Sequence, residues 1–243
     1  MATTSTSKHR QLLVSFSGMD GAGKSTQIAN VHSAVERSGG RVLLRTFWDD
    51  VVVGTRFRED FSHKVLKSEK GIGAPGKPVE RRDKNVRSWY LNLARYAMYF
   101  ADALNLARVV RRVRNTGADV IIFDRYIYDQ IANLPLDTPF ARAYIALVKL
   151  VIPRPDVIFF LDADPVAARA RKPEYPVAFL EQNRRAYLLL AELIGGVTVI
   201  PPLPLNEALR RMDSEFAKAY PATLNSASTL VVGADNFSST PAA

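Results

Sequence analysis

The sequence predicts an α/β fold in which helices cover both faces of a five-stranded parallel sheet, giving three layers. Three observations predict it. Five short apolar runs alternate along the chain with longer stretches of helical periodicity. The runs are almost continuously apolar, which is typical of strands covered on both faces. A glycine-rich loop also joins the first run to the first helical stretch, as in proteins that bind anions at a helix N-terminus.

The elements follow one another without an internal repeat. The predicted strands are residues 12–17, 41–47, 119–124, 157–161 and 197–200, and the predicted helices are 25–37, 85–114, 140–152, 165–170, 177–193 and 206–219. Gly39-Gly40 and Thr116-Gly117 are expected to end the first two helices, because glycine adopts the left-handed conformation of helix ends. Prolines around residue 154 end the third helix, and Asn206 is expected to cap the last one.

The composition is that of one globular domain. Of 243 residues, 47% are apolar and 23% charged, and no break in composition divides the chain. We predict one globular domain over residues 11–220, preceded by a disordered segment, 1–10, and followed by a low-complexity tail, 221–243. The glycine- and proline-rich composition of residues 71–78 predicts a mobile surface loop.

Composition also excludes several classes of site. The chain has no cysteine, and its three histidines show no spacing typical of metal ligands, so disulfides and thiolate metal sites are ruled out. No apolar run is long enough to span a membrane and the first residues do not resemble a leader, so we expect a cytoplasmic protein. A net charge of +9 suits small polyanionic substrates, and because the arginines are dispersed, we do not expect nucleic acid as a partner.

The strongest signal is the segment Phe16-Ser-Gly-Met-Asp-Gly-Ala-Gly-Lys-Ser-Thr26, between the first strand and the first helix. It matches the pattern G-x-x-x-x-G-K-[ST], in which successive backbone N–H groups and a lysine hold phosphates. The third strand ends in Asp124, followed by Arg125 and Tyr126. An aspartate at that position suits Mg²⁺ beside a phosphate loop.

Together with Pro155-Asp-Val-Ile-Phe-Phe-Leu-Asp-Ala-Asp-Pro165, these motifs make the chain similar to the thymidylate kinase family of P-loop nucleoside monophosphate kinases. The resemblance covers roughly residues 12–216 and implies a P-loop NTPase fold, ATP and Mg²⁺ as cofactors, and small nucleotides as partners. It implies that Lys24 holds the β- and γ-phosphates, that Ser25 and Asp124 serve the metal, and that Arg125 grips the acceptor phosphate. The resemblance also implies a homodimer that forms through the long predicted helix 85–114, which is rich in aromatic residues.

The resemblance extends to the remaining site residues. The predicted ATP-binding set is Gly18, Asp20, Gly21, Ala22, Gly23, Lys24, Ser25, Thr26 and Arg171. Family members with glycine at the position of Gly21 usually supply basic residues from a lid, here about 169–177, so Arg169 is a catalytic candidate and Lys172 another basic one. The predicted acceptor-binding set is Asp20, Trp48, Asp49, Arg95, Tyr99, Phe100, Arg125 and Tyr126.

The acceptor stays open at this stage. Where the family has a Phe-Pro segment, Trp48 and Asp49 follow the second strand, and Leu104 stands where a second acceptor arginine is expected. The leading hypothesis is a kinase of nucleoside monophosphates, dTMP by default. A kinase of a hydroxyl group is the alternative, with Asp49 or Asp50 as general base. A nucleotide-binding protein without turnover is a third possibility.

Overall fold

A computed structural model describes residues 11–53 and 89–221. They build one sheet of five parallel strands in the order β2-β3-β1-β4-β5. The strands are β1 (Leu12–Gly18), β2 (Val42–Thr46), β3 (Val120–Asp124), β4 (Val157–Leu161) and β5 (Thr198–Ile200). Strand β1 lies between β3 and β4, so its carboxyl end is the point where the strand order reverses. Ligands bind at this place in open α/β sheets.

Helices follow every strand in sequence, as predicted, and two short helices, 47–50 and 127–131, were not predicted. The helices are α1 (Lys24–Arg37), α2 (Phe47–Asp50), α3 (Trp89–Val113), α4 (Ile127–Ile131), α5 (Pro139–Val151), α6 (Pro165–Arg171), α7 (Val177–Ile194) and α8 (Leu205–Ala219). Within the described ranges, no helix is long and apolar enough to cross a membrane.

Two hydrophobic cores lie on opposite faces of the sheet because neighbouring strand residues point to opposite sides. Leu13 and Phe123 pack in one core with α3, α4, α5 and α7. Val14 and Phe16 pack in the other, with α1 and α8. Side chains on both faces of β1 are fully buried, which explains its continuous apolar run and confirms the three-layer prediction.

Some predicted boundaries are wrong. The second strand ends at Thr46, and the next four residues form a helical turn because the Asp50 carboxylate accepts the Thr46 N–H at 2.8 Å. Asn206 does not cap the last helix, which starts at Leu205 after Pro204. The end of the long predicted helix, by contrast, is confirmed: α3 ends at Val113, a 3₁₀ turn follows over 114–116, and Gly117 in the left-handed conformation terminates it. The predicted disordered start, the loop 71–78 and the tail beyond residue 221 lie outside the described residues.

Candidate functional site

The glycine-rich loop leaves β1 and enters α1 through residues with positive φ. Gly21 has φ +80°, and a Cβ added there would lie 2.6 Å from the backbone oxygen of Ala168 in α6. Gly23 has φ +84° and open space where a Cβ would be. Side chains rarely adopt this conformation. The glycines therefore let the loop turn tightly, and Gly21 also allows it to touch the backbone of α6.

The N-terminus of α1 is free to meet an anion. Gly23 precedes the helix without a side-chain cap, and its first turn has no acidic residue. The exposed side chains of Ser25 and Thr26 lie in that turn. Uncapped N–H groups and the positive end of the helix dipole attract phosphate. The start of α1 thus offers uncapped N–H groups and two exposed hydroxyls to an anion.

Lys24 lies under this loop with its side chain buried. Its ammonium donates hydrogen bonds to the carbonyl oxygens of Gly18 (2.7 Å) and Met19 (2.9 Å). Burial, and then the positive charge of Arg125, lower the pKa of Lys24 to about 8. The pKa of the ammonium is lowered because the negative charge around it does not fully compensate its burial. A bound phosphate group would supply the missing negative charge.

Asp124 ends β3, which is paired in register with β1 so that Asp124 lies beside Phe16. Burial raises the pKa of its carboxyl, although the charges of Arg125 and Lys24 act in the opposite direction. A carboxylate destabilised by burial gains from a nearby cation. Together with the exposed hydroxyl of Ser25 it provides oxygen ligands of the kind that Mg²⁺ prefers. Residues of this donor set therefore fit the predicted metal.

Arg125 connects β3 to the loop. Its Nη2 donates to Asp20 Oδ1 at 2.5 Å, and its Nη1 donates to Asp129 Oδ1 at 3.2 Å. Burial alone would lower the pKa of this guanidinium, but the carboxylates of Asp129 and Asp20 raise it. Burial disfavours the charged form of Asp20, but the positive charges of Arg125 and Lys24 hold the pKa of Asp20 below its usual value. The predicted catalytic residues around the loop are thus brought together as one charged cluster.

Sequence reasoning missed the member of this cluster that is most deeply buried. Asp129, on α4, is 3% exposed and receives hydrogen bonds from Arg125 and from the hydroxyl of Tyr187. The signal was present in the sequence: a carboxylate stands within the apolar run Ile127-Tyr-Asp-Gln-Ile131, directly after the Asp-Arg-Tyr motif. A charged side chain in such a run is rarely buried unless it has a partner.

Tyr126 was predicted to contact the acceptor, and the structure corrects this. Its side chain is fully buried, its hydroxyl donates to the Pro153 backbone oxygen, and its ring packs edge-on against Phe123. Tyr126 therefore belongs to the core, where its ring fills space between the sheet and its helices.

The other predicted acceptor residues are spread over two helices. Tyr99 and Phe100 on α3 are partly buried and pack against the larger core, and Arg95 lies half-buried on the same helix. Trp48 and Asp49 are exposed on α2.

Basic residues of the predicted lid lie at the surface. Arg169, Arg171 and Lys172 are exposed, and Lys172 pairs with Glu174 at 3.2 Å. The charge of Lys172 also contributes to lowering the pKa of Asp20, which places it near the loop. Arg184, on α7, instead forms two 2.7 Å hydrogen bonds with Asp162 at the end of β4.

Comparisons with known proteins point in one direction. The chain is 25% identical over 203 residues to a probable thymidylate kinase of Methanosphaera stadtmanae, covering 82% of this chain and 93% of that protein. It is 29% identical over 176 residues to the thymidylate kinase of Pelodictyon phaeoclathratiforme, covering 69% and 70%. With the thymidylate kinase of Xanthomonas euvesicatoria it shares 28% over 165 residues, 66% of this chain and 60% of that one. No family model matches the chain.

Proposed function

We propose that this chain, a divergent member of the thymidylate kinase family, transfers the γ-phosphoryl group of ATP to a nucleoside monophosphate, with dTMP as the first expected acceptor. Membership makes the chain a nucleotide kinase. The identity of both substrates is the proposal. The observation that carries it is the charged cluster in which Arg125 bridges the phosphate loop, through Asp20, to the end of β3.

The donor half of the reaction falls to the loop and the start of α1. The uncapped N–H groups would bind the β- and γ-phosphates, and the Lys24 ammonium would leave its loop carbonyls for a phosphate oxygen. Ser25 and Asp124 would hold Mg²⁺, which neutralises charge on the transferred group when it is bound. The low pKa of Lys24 favours this exchange, because an anion supplies the counter-charge that burial makes necessary.

The acceptor half falls to Arg125. An oxygen of the acceptor phosphate attacks the γ-phosphorus while the bond from that phosphorus to the β–γ bridging oxygen breaks, giving ADP and a nucleoside diphosphate. No protein nucleophile is required, so the protein contributes position and positive charge. The hydrogen bonds of Arg125 to Asp20 and Asp129 use two of its five N–H donors. The remaining donors suit two phosphate oxygens at once.

Transfer to a hydroxyl group is the competing possibility, and it requires a carboxylate as general base. Of the two candidates, Asp49 and Asp50, the contacts of Asp50 favour Asp49. The Asp50 carboxylate accepts the Thr46 N–H and lies 3.6 Å from Arg45, so it is already engaged. Asp49 is exposed and is the remaining candidate base of that pair. A hydroxyl kinase would therefore depend on Asp49, whereas a kinase of nucleoside monophosphates would depend on Arg125.

The test is release of ADP from Mg²⁺-ATP with a panel of nucleoside monophosphates, nucleosides and deoxynucleosides. The Lys24→Met protein serves as the blank. We expect turnover with dTMP or another nucleoside monophosphate, and a much smaller loss of that turnover in an Asp49→Asn variant than in an Arg125→Ala variant. Turnover with nucleosides alone, abolished by Asp49→Asn, would establish the hydroxyl kinase instead. ATP binding without turnover across the whole panel would leave a nucleotide-binding protein.

A further inference from the structure

The Asp129 carboxylate is fixed by four hydrogen bonds, two on each oxygen. Oδ1 accepts from Nη1 of Arg125 (3.2 Å) and from the hydroxyl of Tyr187 (2.8 Å). Oδ2 accepts from the hydroxyl of Ser17 (2.6 Å) and from the backbone N–H of Tyr126 (3.1 Å). Because the side chain is buried, an unpaired charge here would be costly, and these four donors compensate it.

The donors come from three separate parts of the fold. Ser17 is on β1 just before the phosphate loop, Arg125 and Tyr126 follow β3, and Tyr187 is on α7, the helix after the predicted lid. The Tyr187 ring packs edge-on against Phe160 of β4, with 5.7 Å between ring centroids. Through the Asp129 carboxylate, Arg125 is therefore linked by hydrogen bonds both to Ser17 in the sheet and to Tyr187 in α7.

Arg125 is held in an unusual conformation by these contacts. Its backbone has φ +66°, and among the described residues it alone, apart from glycines, has a positive φ. Its N–H donates to the Phe16 carbonyl at 2.9 Å. A side chain rarely adopts this conformation unless the surroundings impose it, and such residues concentrate at functional sites. Asp20 and Asp129 then fix the two ends of the guanidinium fork.

We propose that Asp129 is a positioning residue that holds the Arg125 guanidinium toward the acceptor phosphate, and that Tyr187 completes this support from α7. The inference rests on the proposed function, because it assigns Arg125 to the acceptor. It differs from a purely structural role for Asp129 as a carboxylate that accepts the N–H at the start of α4. A structural role would affect stability and both substrates alike.

The primary test is the Tyr187→Phe variant, which removes one donor to Asp129 and keeps the ring. Tyr144→Phe is the matched control, since it likewise removes one donating hydroxyl and keeps the ring, but the Tyr144 hydroxyl donates to the Tyr96 backbone oxygen in α3. With dTMP and Mg²⁺-ATP, we expect Tyr187→Phe to lower kcat/KM for the acceptor about tenfold while KM for ATP stays within twofold. Tyr144→Phe should leave both constants unchanged.

Asp129→Asn is the second variant. It keeps the size of the side chain but removes the charge and replaces one acceptor oxygen with a donor. We expect a larger loss of acceptor kcat/KM, about a hundredfold. If both variants lower the apparent affinity for ATP as much as that for the acceptor, the positioning role is wrong and Asp129 is structural.

A measurement without turnover separates this inference from the proposed function. In protein with ¹⁵N-labelled arginine, rotation of the Arg125 guanidinium about its Nε–Cζ bond can be followed by NMR, with Arg125→Lys to assign the signal. We expect slow rotation in the wild type and rotation several times faster in Tyr187→Phe. Equal rates in the wild type and in both variants would overturn the positioning role. Faster rotation in Tyr187→Phe than in the wild type, in a protein without kinase activity, would retain the support of Arg125 by Asp129 and Tyr187 and reject the proposed function.

Discussion

The phosphate loop and the acceptor side of the site differ in whether their functional groups come from consecutive residues or from separate parts of the chain. Within the loop, consecutive residues supply the glycine turns, Lys24 and the uncapped start of α1. On the acceptor side, Arg125 is placed by Asp20 and Asp129, which belong to different elements. A site made by one segment can be identified by its spacing, whereas a site made by converging elements requires the fold.

The largest effect is expected at Lys24. Lys24→Met should reduce turnover by about 10³-fold or more, because the transferred phosphoryl group loses the cation that the loop provides. The measurement is ADP release at saturating acceptor. Activity within tenfold of wild type would mean that the loop is not the phosphate site.

Lys24 should also impose a pH-dependent cost on stability. Its pKa is about 8 in the folded protein against an ordinary 10.5. Below pH 8 the residue is protonated in both states and the cost of burying its charge is fully present. The cost disappears as the pH rises from 8 to 10.5, because the folded protein loses its proton first. Lys24→Met should therefore exceed the wild type in free energy of unfolding, by up to about 3 kcal/mol, at neutral pH.

Urea denaturation of both proteins between pH 7 and 10.5 measures that difference. We expect it to shrink steadily across this range. A constant difference would show that Lys24 titrates normally in the folded protein, and that its two carbonyl contacts compensate its burial.

The next largest effect is expected at Arg125 and should fall on one substrate. Arg125→Ala should lower kcat/KM for the acceptor by about 10² or more, since a charge-assisted contact with the acceptor phosphate is lost. ATP affinity should change little. The measurement pairs steady-state kinetics with direct titration of ATP. Equal weakening for both substrates would mean that Arg125 mainly supports the loop through Asp20, and the contrast between the two halves would then disappear.

The extent of sequence-based prediction follows the same contrast. The three-layer sheet was predictable because its strands are buried on both faces and appear as apolar runs, as in β1. Tyr126 was misplaced because its neighbours in sequence belong to the site while its ring points into the core. Asp129 and Tyr187 are far apart in sequence, and only the packing of α7 against the sheet brings them within 2.8 Å. No spacing rule reports such a contact.

The smallest predicted effect shows that even the loop depends on one distant contact. Gly21→Ala and Gly23→Ala both place a side chain at positive φ, at a cost of about 1 kcal/mol. At Gly21 the new Cβ would also lie 2.6 Å from the Ala168 backbone oxygen, whereas at Gly23 it meets nothing within 4 Å. Because backbone cannot give way like a flexible side chain, Gly21→Ala should lower Tm about twice as much, roughly 4–8 °C against 2–4 °C. Calorimetry of the two variants measures this, and equal shifts would mean that α6 moves freely away from the loop. A larger shift at Gly21 would show that a segment with a purely local signature is held in place by packing that its own sequence does not encode.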